Sequence, residues 1–94
     1  MNAISEVLAK TGQSETAIIR EHLIMAGMSK LSRYEAEYAL FEKKYQGSLE
    51  SFRTRLDKNG QENFDMEDDL MDWEFAAASI NWWRARLEEL RRAA

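Results

Sequence analysis

Between Ile24 and Tyr45 the large apolar side chains keep a single beat. Ile24, Gly27, Leu31, Tyr34, Tyr38, Phe41 and Tyr45 follow one another by steps of three, four, three, four, three and four. Such steps return to one side of a helix with 3.6 residues per turn, and their alternation draws a narrow seam of the heptad kind. An unbroken helix from Glu15 to Gln46 would be roughly 48 Å long at 1.5 Å per residue, whereas a small globular domain is only about 30 Å across. Either the helix breaks between Gly27 and Ser32, in the stretch "GMSKLS", or something covers its length. The simpler expectation is a homodimer, intertwined or helix-packed, with Ile24, Leu31, Tyr34, Tyr38, Phe41 and Tyr45 at the interface. The three tyrosine hydroxyls resist full burial and suit a half-exposed seam. A one-sided core stripe within a single chain is the alternative.

The rest of the chain points to an all-α fold of about four helices. It has no proline, and of its four glycines Gly12, Gly47 and Gly60 punctuate helical patterns. Ala3 to Lys10 form a first helix with Ile4, Val7 and Leu8 on one side, closed by Thr11 and Gly12. Ser14 caps the long helix, with Glu15 at its positive end. Gly47 ends it, and Ser48 caps a short helix, "LESFRTRLDK". Asn59 to Asp65 read as a polar loop with Phe64 tucked inward. The last helix runs from about Asp65 to about Arg92, with acids early and arginines late, as the helix dipole favours. It carries two apolar stripes. One is Met66, Leu70, Trp73, Ala77, Ile80, Leu87 and Leu90; the other is Met71, Phe75, Ala78 and Trp82. Together they exceed the arc that one neighbour covers. Trp82 and Trp83 point about 100° apart, so only one of them fits a core. A single domain, 1–94, is expected. Residues 1–46 would form an N-terminal helix pair that dimerises, and residues 47–94 acidic, aromatic helices that bind a partner.

Composition narrows the function. The 94 residues are 45% hydrophobic, too apolar for a disordered chain. No cysteine is present, which removes disulfides and thiolate metal sites and accords with a cytoplasmic location. Met1 to Lys10 have neither a basic start nor a continuous apolar run, so no secretion signal is expected. No stretch reaches the roughly 18 apolar residues of a membrane span. The net charge of −4 is uneven: residues 1–58 hold nine Lys/Arg against eight Asp/Glu, residues 59–94 four against nine. An acidic chain does not attract nucleic acid in bulk, and its acidic half suits a basic protein.

Chemistry-bearing constellations are sparse. His22 is the one histidine; with no cysteine or second histidine to join it, it reads as an interface or surface residue. There is no glycine-rich phosphate loop, and the serines lack a matching base. No enzyme activity, metal, cofactor or small-molecule substrate is expected. The run "EDDLMDWE" is an ordinary acidic helix start, or a docking surface in which apolar anchors sit among charges. On the second reading Asp68, Asp69, Leu70, Asp72 and Trp73 bind a basic protein partner.

The segment "DKNGQENFDMED", residues 57–68, resembles an EF-hand calcium loop. Asp57, Asn59, Gln61, Asn63 and Asp65 stand at alternate places and Asp68 at the twelfth. Glu62 stands where the family turns on glycine, and Asp68 is shorter than the usual glutamate.

Finally, "SEVLAKTGQSETAIIREHLIMAG", residues 5–27, resembles the two helices of the ribbon-helix-helix family. The resemblance rests on Val7 and Leu8, the "KTGQSE" turn and "AIIREHL". It implies a homodimer with Ile18, Ile19 and Leu23 in its core and a DNA phosphate held near Ser14. Many members are antitoxins whose C-terminal extension neutralises a toxin, and the acidic aromatic tail here is similar in character. The strand that reads bases would have to precede the first helix, where Met1 to Ala3 cannot supply one. Phosphate contact alone positions without specifying, so direct reading of DNA is not expected. The sequence therefore predicts a non-catalytic, antitoxin-like helical protein. A calcium-responsive module and a DNA-associated regulator are its alternatives.

Overall fold

A computed structural model describes residues 2–60 and 63–93. They form four helices: α1 (Ala3–Thr11), α2 (Glu15–Tyr45), α3 (Leu49–Asn59) and α4 (Phe64–Arg92). There is no strand among the described residues. The helix starts are written locally. Asn2, Ser14, Ser48 and Asn63 each cap the helix that follows, their side chains accepting from the backbone N–H three residues on. Gly12 closes α1 in the left-handed conformation, at φ 70°. At the end of α2, however, that position falls to Gln46 (φ 51°) and not to Gly47.

The long helix does not break. α2 runs for 31 residues through Gly27, Ser29 and Ser32, and it is covered lengthwise by α4 of the same chain. The two are antiparallel. Lys44 meets Asp69 at one end, Glu35 meets Arg84 midway, and Arg20 donates to the Ala93 carbonyl (2.5 Å) at the other. Midway along, Gly27 is buried because α4 comes close there. A Cβ on Gly27 would stand 2.8 Å from Leu87 Cδ2 and 3.3 Å from the Trp83 ring. α3 folds back over the start of α4, bringing Phe52 onto Trp73 and Arg53 onto Glu74. The result is a rod with extents of 65 × 24 × 17 Å and a radius of gyration of 20.0 Å, against about 13 Å for a compact chain of 100 residues.

The core sits where three helices meet. Leu49, Phe52 and Trp73 are buried there, and Tyr38, Phe41, Tyr45, Leu56, Met66, Leu70 and Ala77 pack around them. Ala76, Ile80 and Leu87 continue the buried line along α4. The α2 seam residues Ile24, Leu31, Tyr34, Tyr38, Phe41 and Tyr45 are half-buried in the single chain; Tyr34 touches Phe75, and Tyr38, Phe41 and Tyr45 surround Trp73. One expectation changes. Phe64 is not tucked in; it opens α4 and is 70% exposed.

Candidate interaction face

Of the two apolar stripes on α4, α2 and α3 bury the first, while the second is touched by an α2 ring only where Tyr34 meets Phe75 edge-on. Met71, Phe75, Ala78 and Trp82 remain exposed, the three large ones at 69%, 62% and 52%. Their spacing of four, three and four keeps them on one face. α2 adds apolar side chains beside both ends of this line. Leu40, itself 67% exposed, lines a groove of about 360 Å³ with Glu37, Phe41, Lys44, Asp72 and Phe75. Leu23 and Ala26 line a second groove of about 470 Å³ with Trp82, Trp83 and Leu90, and its walls are almost wholly apolar. Contiguous exposed apolar surface of this kind marks an interaction site more often than chance exposure does.

The charges on the face are divided by end. Beside Met71 and Phe75 stand the exposed Asp68 and Asp72, neither of them in an ion pair among the described residues. Beside Trp82 stands Arg86, whose guanidinium lies 5.3 Å from the Trp82 ring centroid and bonds Glu89 at 2.6 Å. Asp69 is occupied internally. It accepts from Lys44 Nζ at 2.6 Å and from the Tyr45 hydroxyl. Those two bonds, the Lys44 one foremost, hold its carboxyl below the usual carboxylate range. Burial, then the bond to Asp69, pushes the Tyr45 hydroxyl up, and the same carboxylate raises Lys44.

The residues expected to meet a partner therefore divide. Asp68 and Asp72 face solvent, Asp69 holds α2 to α4, Leu70 packs on the core and Trp73 has no exposed surface at all. Trp73 is an anchor, but for its own chain. Leu40 and Glu37 were missed. They lie off the α2 seam, and only the pairing of α2 with α4 brings them to Phe75 and Asp72. The described part of the expected calcium loop, residues 57–60 and 63–68, is mostly helix. Asp57 and Asn59 lie within α3, Asp65 and Asp68 lie within α4, and the Asn63 side chain caps Met66; Gln61 and Glu62 lie outside the described residues. No group of three or more acids or histidines among the described residues could hold a metal ion, and His22 is exposed. No helix among them is long and apolar enough to cross a membrane.

Fold and face together define an all-α helical hairpin with one apolar side open to solvent. No protein-family model, curated protein or solved structure matches the chain.

Proposed function

We propose that this chain is a non-catalytic protein-binding module of the antitoxin kind, working in the cytoplasm. Its acid-rimmed apolar groove docks a basic partner protein and covers that partner's working surface. The observation that carries this reading is the exposure of Leu40, Met71 and Phe75 beside Asp68 and Asp72. Large apolar side chains supply the desolvated centre of a hot spot, and the acids around them select and steer a basic surface. The resemblance of residues 5–27 to the ribbon-helix-helix helices agrees with such a role, and the acidity of residues 59–94 agrees with the sign of the partner.

The test is capture from the native host with wild-type chain and with a Phe75→Glu/Asp72→Lys variant. Both sites are exposed, and circular dichroism of the variant checks that its helices are kept. A small basic protein retained by the wild type and lost from the variant is the expected result. Equal recovery by both would remove the groove from the account.

A further inference from the structure

We infer that the free chain pairs with a second copy through this face, α4 lying antiparallel on α4 about a two-fold axis near Ala78. The inference rests on reading the face as a binding surface and names what occupies it before a partner does.

Symmetry within the stripe is the first reason. Phe75 stands three residues before Ala78 and Trp82 four after it, and Ala78 lies at the midpoint of Phe64–Arg92. An antiparallel copy centred there sets Phe75 of each chain over the other's Trp82, and the small Ala78 lets the helices approach. The spacing of Met71, Phe75, Ala78 and Trp82 is that of helix-to-helix seams.

Charge is the second and decides between occupants. The Met71 end carries Glu67, Asp68 and Asp72, while Lys44 there is paired with Asp69. The Trp82 end carries Arg86, partly offset by Glu89, and the exposed Lys30, one turn on from Ala26. A uniformly basic surface complements only the first end. An antiparallel copy brings Asp68 and Asp72 of one chain near the other's Arg86, while Glu67 meets the other's Glu89, which Arg86 already holds.

Size is the third. From Asp68 to Glu89 α4 spans roughly 32 Å, and two helices packed about 9 Å apart present a face roughly 20 Å wide. The face thus offers on the order of 600 Å², at the lower end of the roughly 600–1,000 Å² per partner of a standard interface. Second copy and basic partner need the same residues, so each excludes the other, and self-pairing sets how readily the partner is taken.

Sedimentation equilibrium of the intact chain between 1 and 100 µM tests this. Wild type should reach twice the chain mass. Ala78→Glu, at an exposed helical position, should raise the dimer Kd at least tenfold while circular dichroism is unchanged. Asp72→Arg and Arg86→Asp should each weaken the dimer similarly. Mixing these two variants should restore it as a heterodimer, because each mixed pair then opposes unlike charges. A monomer at 100 µM, or a dimer indifferent to Ala78→Glu, overturns the pairing. Loss of the pairing with host capture still dependent on Phe75 and Asp72 would leave the partner reading standing, and the reverse pattern would remove only the partner.

Discussion

At Trp73 one side chain joins three helices. Its ring packs beside Tyr38, Phe41, Tyr45 and Phe52, with centroids 5.4–5.9 Å away, while its indole N–H has no acceptor among the described residues. Trp73→Ala should cost about 3–5 kcal/mol, a large share of the ~5–15 kcal/mol that holds a small domain folded. Trp73→Phe also loses volume, but it removes an unpaired donor worth about 1–3 kcal/mol. Urea denaturation should therefore place it much nearer wild type than alanine. Asp69 gives a second outcome. Its folded pKa is lowered from an unfolded value of about 3.9, so the unfolded chain binds more protons. The stabilisation is complete above that unfolded value and is lost as pH falls through the lower folded one. Asp69→Asn should weaken the protein at neutral pH and flatten its acid limb in denaturation midpoints from pH 7 to 2. On the alkaline side Lys44 and Tyr45 are both raised, so their contributions fade as pH climbs above about 10. The sequence showed an aromatic among acids at Trp73, but not which way it points. Both stripes of α4 are apolar, and only the tyrosines of α2, distant in sequence, decide which is covered.

Helix identity was legible because capping and period are local. Ser14, Ser48 and Gly12 mark ends where the backbone needs them. The continuity of α2 was not legible, since Gly27 reads as a weak point until α4 arrives against it. Gly27→Ala should gain up to about 1 kcal/mol of helix propensity but must displace the packed Leu87, at about 1–3 kcal/mol for overpacking. A net loss of roughly 1 kcal/mol is expected, and thermal unfolding of the variant checks it. A more stable variant would mean that the contact is slack. α1 is the opposite case: well capped, yet with no buried residue. Helices shorter than about 12 residues are marginal without packing, and opening is easiest where apolar contacts are few. Amide exchange should therefore be fast across Ala3–Thr11 and slowest from Trp73 to Leu87. Protection of α1 equal to that of α4 would show that something covers Ile4 and Val7.

For the whole molecule, a rod of two long helices buries less than a globule of equal length. Its apolar content was plain from composition; where the surplus would emerge was not, because that depends on which stripe of α4 the other two helices, α2 and α3, cover. The exposed side makes stability depend on association. If two chains share that face, the folded dimer is favoured over unfolded chains by mass action. Each tenfold rise in concentration should then raise the melting temperature by about 2–5 °C for a chain of this length. Phe75→Glu should abolish that dependence while keeping the helical signal, since Phe75 is 62% exposed and lies outside the buried core. A wild-type melting temperature constant from 1 to 100 µM would mean that each rod is stable alone. Its open face would then be held ready for a foreign partner only.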